Sequence, residues 1–198
     1  MLRFRGSFGP AGAGSTVQVQ RLLTDGSWAP AATAVVAPDG SFVARWRADV
    51  MGAQTIRALL AGDQAQAEAA TADPPPTTHV TIFRPAVASW YGPGFYGKHT
   101  ACGQVMSHRL LGVAHRTLPC GTPVTLLVGG RSLTVPVIDR GPFTTGIGYD
   151  VTSAAATQLG MTATTLIGVL PQRGAAMPVA PAPLPAFPTG GTSYSPAG

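Results

Sequence analysis

The sequence predicts an all-β protein of two small β domains joined by a proline-rich linker, with one short helix in the second. Three observations predict it. The 198 residues include 25 Gly and 19 Pro, a turn-rich composition that leaves little room for long helices. Short alternating runs recur between Asp-Gly and Gly-Gly pairs, the pattern of strands joined by tight hairpin turns. Hydrophobic residues make up 45% of the chain and charged residues only 11%. A core can therefore form, although the charged fraction lies well below the roughly 25% usual for soluble domains.

The elements follow in order. Residues 16–23 alternate, and Asp25-Gly26 turns the chain. Residues 32–37 form an apolar run before a second turn at Asp39-Gly40. Residues 41–47 alternate again, placing Phe42, Ala44 and Trp46 on one face, and residues 54–60 supply a further strand. Residues 62–72 fit a last strand or a short helix equally well. Repeated short strands of this kind suggest a small β-sandwich over residues 1–71. It resembles the immunoglobulin-like modules of secreted bacterial proteins, and with no titratable cluster it reads as a spacer or binding module. Residues 72–79 contain Pro74, Pro75 and Pro76, which hold an extended linker. Residues 80–171 form the second domain. Residues 172–198 carry Pro178, Pro181, Pro183, Pro185 and Pro188; this tail cannot bury enough apolar surface to offset its ordering entropy and is expected to be disordered.

Charge and cysteine content narrow the functions. The net charge of +5 is scattered, without the basic stripe or aromatic motif of a nucleic-acid binder. A mild positive charge suits an anionic polymer. No apolar run is long enough to span a membrane. The first five residues lack the apolar core of a secretory signal, so an exported protein implies a leader removed or a start placed too late. Cys102 and Cys120 are the two cysteines. Both stand beside turn residues, which favours one disulfide in an oxidising compartment over two buried free thiols. His99, His108 and His115 lie nearby, but their spacing matches no zinc pattern, and no cofactor is expected.

The chemistry concentrates between Ala88 and Leu170. This stretch opens Ala88, Ser89, Trp90, Tyr91, Gly92, continues through Thr100, Ala101, Cys102, Gly103, Gln104, and then reads Ala114, His115, Arg116, Thr117, Leu118, Pro119, Cys120, Gly121, Thr122. Two strands, 123–128 and 132–137, flank the hairpin pair Gly129-Gly130. Ile138, Asp139, Arg140, Gly141, Pro142 and Phe143 follow. Asp150 can cap a helix over residues 152–159, which Gly160 ends. Residues 165–170 close the domain as a strand.

This ordered series resembles the rare lipoprotein A family. The resemblance implies a six-stranded double-psi β-barrel with a groove across one face, and kinship with expansins and family 45 glycoside hydrolases. It implies an extracytoplasmic protein whose partner is peptidoglycan or a related polysaccharide. Some members are lytic transglycosylases, which cleave glycan strands and leave 1,6-anhydro ends. The family often has Glu where this chain has Gln104, and usually lacks cysteine at both positions 102 and 120. Paired cysteines at two such positions are what a disulfide between the 100–104 loop and the 118–122 turn requires.

The same resemblance selects the candidate residues. Inverting hydrolysis needs two carboxyl groups, whereas a lytic transglycosylase can work with one, because the sugar's 6-hydroxyl replaces water. Asp139 is the candidate general acid and base, against a plain role bonding the Gly141-Pro142 turn. Asp150 divides between helix cap and groove carboxyl. His115 divides between a structural histidine and a group that orients Asp139 or bonds a sugar. Tyr91 is expected in the groove and Trp90 in the core, with Gln104 and Arg140 as further substrate contacts; Arg140 would also oppose a raised Asp139 pKa if the two paired. The reading is a peptidoglycan transglycosylase. A non-catalytic expansin-like wall-binding protein is the alternative, and an inhibitor or interaction module that reuses the barrel is a third.

Overall fold

The computed structural model describes residues 1–62 and 75–172. The expected disordered tail lies almost entirely outside them, as do Pro74 and most of the ambiguous 62–72 stretch. The chain forms two compact units, the first over Met1–Pro85 and the second beginning at Ala86.

The first unit is built from strands β1 (Leu2–Ser7), β2 (Thr16–Leu22), β3 (Trp28–Val35), β4 (Ser41–Trp46), β5 (Gly52–Leu60) and β6 (Thr77–Ile82). β1 and β4 form a two-stranded antiparallel sheet, and the others a four-stranded sheet in the order β3-β2-β5-β6. Val17 and Val19 of β2 share one core with Phe42 and Ala44 of β4, because alternate residues of each strand face inward. The Asp-Gly turns form where expected. Asp25 and Asp39 each accept a bond from the amide two residues on, Ser27 and Ser41, both at 2.9 Å. Gly26 and Gly40 take positive φ. Pro30 lies in β3, an edge strand of its sheet, where proline is tolerated.

Strand β6 departs from the expected boundaries. Residues 77–82 pair with β5 from Thr77↔Arg57 to Ile82↔Gly52, so the first sheet takes in residues 77–79 of the expected linker and continues past them. The segment is rich in β-branched residues, and pairing to β5 recruits it despite the adjacent prolines.

The second unit contains β7 (Arg84–Tyr91), β8 (Val113–Ala114), β9 (Pro123–Val128), β10 (Arg131–Asp139), β11 (Tyr149–Thr152), helix α1 (Ser153–Leu159) and β12 (Thr165–Pro171). Its strands close into a six-stranded barrel in the order β10-β8-β11-β7-β12-β9. Two contacts are parallel, β10 with β8 and β11 with β7; parallel neighbours need crossover connections rather than hairpins. Val113, Val124, Leu126, Val135, Val137 and Val151 are fully shielded from solvent and belong to the core. β9 and β10 form the expected hairpin across Gly129-Gly130, both with positive φ, as a primed turn requires.

The cap of α1 corrects one expectation. Thr152, not Asp150, is the N-cap: its hydroxyl accepts from the Ala155 amide at 3.3 Å. Asp150 is still inside β11, paired with Ser89 and Ala114, two residues too early to reach the helix N–H groups. Gly160 ends the helix in the left-handed conformation, as expected of a C-terminal glycine.

Candidate active site

Strand register puts the acidic residues in one row. Asp139 of β10 pairs with Ala114 of β8, Ala114 pairs with Asp150 of β11, and Asp150 pairs with Ser89 of β7. The two aspartates therefore flank Ala114 two strand spacings apart, about 10 Å between their Cα atoms. A register shift between Val137 and Asp139 marks a bulge. Val137 and Ile138 are both buried while Asp139 is partly open; re-aiming a side chain at the end of pairing is what bulges do.

Asp139 is held by backbone. Its Oδ1 accepts from the Ala101 amide and the Arg140 amide, each at 2.8 Å, and its carbonyl accepts from the His115 amide at 3.2 Å. The Arg140 guanidinium turns away from the carboxylate. It donates to the carbonyls of Leu118 at 3.0 Å and of His115 and Asp139 at 3.4 Å, and to Cys120 Sγ at 3.3 Å. The side chain expected to touch substrate thus braces the 115–120 loop.

Asp150 has a different environment. Partial burial pushes its pKa up, to about 6; the Ser89 hydroxyl, donating at 3.0 Å, pulls it back, and the negative charge of Asp139 raises it further. Two carboxyl groups with unlike environments and sensible mutual repulsion are the usual basis for separate acid and base roles.

Tyr91 adjoins both. Its hydroxyl is shut off from solvent and makes no complete hydrogen bond. Burial raises its pKa first, followed by the charge of the Asp139 carboxylate, a hydrogen-bonding contribution from it, and the charge of Asp150. The phenol therefore stays neutral, close to Asp139 but short of full bond geometry. Its ring meets Phe95 edge-on at 5.8 Å. Trp90, expected in the core, is instead 40% exposed; it stands one residue from the end of its strand. Phe95 and Phe143 are also open.

His115 is fixed by its own turn. Nδ1 accepts from the amides of Leu118 at 3.0 Å and Thr117 at 3.2 Å, so the neutral ring must carry its proton on Nε2. Burial, then the charges of Arg116 and Arg140, lowers its pKa. The ring packs 4.7 Å from Tyr149. In this state it can donate through Nε2 but cannot serve as a base through Nδ1.

Gln104 is only 6% exposed. Its Nε2 donates to the Cys102 carbonyl at 2.8 Å and its Oε1 accepts from the Thr100 hydroxyl at 3.1 Å. The amide organises its loop from both ends, whereas a carboxylate could not make the first of these bonds. This side chain, expected to meet substrate, is committed to the loop. Cys102 and Cys120 form a disulfide with Cα atoms 5.8 Å apart, tying the 100–104 loop to the 118–122 turn. Closing a loop of this length is worth about 3 kcal/mol by chain entropy.

Sequence reasoning missed three contributors. Ser89 stands within the Ala88–Gly92 motif, so its position was visible although its partner was not. The Ala101 amide is a backbone donor and leaves no sequence signal. Arg116 donates to the carbonyls of Pro142, Thr144 and Ile147 at 2.6, 3.0 and 3.1 Å, setting the loop after Asp139; its role also depends on distant contacts.

The closed six-stranded barrel, with β10–β8 and β11–β7 parallel, fits a double-psi β-barrel domain. Residues 85–175 match the family model described as lytic transglycolase. Among curated proteins, the probable endolytic peptidoglycan transglycosylase RlpA of Synechocystis sp. is 49% identical over 77 residues, covering 38% of this chain and 24% of that protein. The endolytic peptidoglycan transglycosylase RlpA of Campylobacter jejuni is 47% identical over 79 residues, covering 39% and 29%. The barrel is therefore similar to a segment of these RlpA proteins, and the chain matches less than a third of the length of either relative. A solved structure, the Streptomyces papain inhibitor, aligns with 43% of this chain and 92% of its own at 23% identity and a TM-score of 0.34.

Proposed function

We propose that the barrel cleaves peptidoglycan glycan strands as a lytic transglycosylase, using Asp139 and Asp150 together. The carrying observation is their common row on either side of Ala114, with Asp150 shifted to about 6. Identity to curated transglycosylases in the same segment supports the substrate class.

In this reading a glycan strand lies across the row. Asp150, protonated in part near neutrality, gives its proton to the departing glycosidic oxygen. Asp139, anchored by two N–H groups, faces the positive charge that develops at the anomeric carbon and takes the proton of the attacking 6-hydroxyl. That oxygen bonds to the anomeric carbon as the bond to the leaving oxygen breaks, and no water is consumed. The neutral Tyr91 phenol stands near both carboxyl groups and can donate a hydrogen bond to Asp139, and His115 Nε2 can donate to a sugar oxygen. Asp139 alone is the simpler assignment; the raised Asp150 pKa favours the pair.

The disulfide suits an extracytoplasmic location, and no helix among the described residues is long and apolar enough to cross a membrane. The first unit fits a spacer or wall-binding module. Its two-stranded and four-stranded sheets share one core, which supports reading it as a small β-sandwich; the six strands are one fewer than the constant-type immunoglobulin arrangement has.

One observation favours the non-catalytic alternative: Gln104 supplies an amide, already committed, where the family often has a carboxyl group. Digestion of purified sacculi followed by mass spectrometry of the released fragments separates the readings. Transglycosylation yields 1,6-anhydro ends and hydrolysis yields reducing ends. Binding to sacculi with no released fragment would leave the wall-binding reading standing.

A further inference from the structure

The geometry points to the Cys102–Cys120 disulfide as a positioning device for Asp139, so that its reduction misplaces the carboxylate without unfolding the barrel. Three consecutive residues at the end of β10 are each gripped by one of the two bridged segments. The Cys102 amide donates to the Ile138 carbonyl at 3.1 Å, the Ala101 amide donates to Asp139 Oδ1 at 2.8 Å, and Arg140 reaches Cys120 Sγ at 3.3 Å and the Leu118 carbonyl at 3.0 Å. Gly121 completes the grip through its amide to the Val137 carbonyl at 2.8 Å.

Hydrogen bonds alone would hold this arrangement weakly. Ala101 is exposed, and an exposed amide exchanges a carboxylate for water at little net cost. Within the loop, the Thr100 amide bonds the Gln104 carbonyl at 2.8 Å, and the Gln104 side chain bonds Cys102. These contacts shape the loop but do not fasten it to β10. Beside the Cys102 and Ala101 amide bonds to β10, the disulfide ties the loop covalently to the 118–122 turn, which Arg140 and Gly121 hold to the same strand end. Asp139 thus receives one of its two amide donors from a segment 38 residues away, delivered by a covalent bond. Cys120 is itself exposed and open to a reductant. A trialkylphosphine attacks one sulfur, becomes the phosphine oxide with oxygen from water, and leaves Cys102 and Cys120 as thiols.

The test treats the whole chain with a trialkylphosphine and follows two readouts. The first is hydrogen exchange at the Ala101 amide, with the Val124 and Leu126 amides as reporters of the intact barrel. The second is cleavage of isolated glycan strands, resolved into kcat and KM; this arm alone rests on the function proposed above. Reduction is expected to speed Ala101 exchange about tenfold or more and to lower kcat about tenfold, with KM changed by less than about twofold, the pattern of a misplaced catalytic group. Ala101→Pro in the oxidised protein removes the donor directly and is expected to reproduce the kcat loss. Lost protection at Val124 and Leu126 on reduction would mean the barrel itself unfolds, and would overturn the proposal. Unchanged Ala101 exchange on reduction, or wild-type kcat in Ala101→Pro, overturns the proposal. If the wild type cleaves nothing, the transglycosylase reading fails, and Ala101 exchange alone decides whether the disulfide holds the loop to Asp139.

Discussion

Replacing Asp150 by Asn is expected to move activity and stability in opposite directions. Burial shifts the Asp150 pKa from 3.8 to about 6, which disfavours its charged form by about 3 kcal/mol. The side chain is only partly buried, so solvent screening reduces the effect on folding to on the order of 1–2 kcal/mol. The folded pKa lies above the unfolded one. Between about pH 4 and 6 the folded protein therefore keeps a proton that the unfolded chain has lost, and wild-type stability falls as pH rises through that window. Asn cannot ionise, still accepts from Ser89, and leaves the Thr152 cap untouched. Asp150→Asn is thus expected to exceed the wild type in stability by on the order of 1–2 kcal/mol above pH 6, with the gap closing below about pH 4. The same variant cannot deliver a proton and should lose roughly 10²-fold or more in glycan cleavage. Urea unfolding at pH 8 and pH 4, with fragment release from glycan strands, measures both. An Asp150→Asn protein that is no more stable at pH 8 would contradict the burial of the Asp150 charge, and one that cleaves at the wild-type rate would contradict its role as acid.

Two further substitutions probe the neighbouring groups. Asp139→Asn keeps an oxygen for the Ala101 and Arg140 amides, so the fold should survive while cleavage falls roughly 10²-fold or more; loss of its charge should also lower the Asp150 pKa below about 6, read by NMR titration of the Asp150 carboxyl carbon. Gln104→Glu sets a buried carboxylate against the Cys102 carbonyl, and should cost about 1–3 kcal/mol at pH 7 and less in acid, where the protonated group can donate again; an unchanged denaturation midpoint at pH 7 would contradict the role given to this amide.

Local signals in the sequence were legible, and long-range pairings were not. The Gly129-Gly130 hairpin, the Asp-Gly turns and the end of α1 at Gly160 follow from residue types that admit few conformations. Asp150 and Thr152 are both good capping residues two positions apart, and helix starts are uncertain on that scale. The cap was settled by the pairing of Asp150 with Ser89 and Ala114, contacts with distant residues. Strand β6 was obscured for the same reason, since Pro75 and Pro76 mark a linker locally while residues 77–82 are recruited by β5. The motif residues Asp139, His115 and Gln104 could be named from sequence. What Arg140 and Gln104 bond, and which backbone amides hold Asp139, depend on loop geometry that residue identity does not encode.

The proposed transglycosylation requires the sugar's own hydroxyl to displace the leaving strand. Digestion of isolated glycan strands in water enriched in heavy oxygen, followed by mass spectrometry of the new ends, tests it most directly. The new ends are expected to be 1,6-anhydro and to carry no heavy oxygen, because no solvent oxygen enters the product. New reducing ends labelled with heavy oxygen would show that water attacks, and would contradict it.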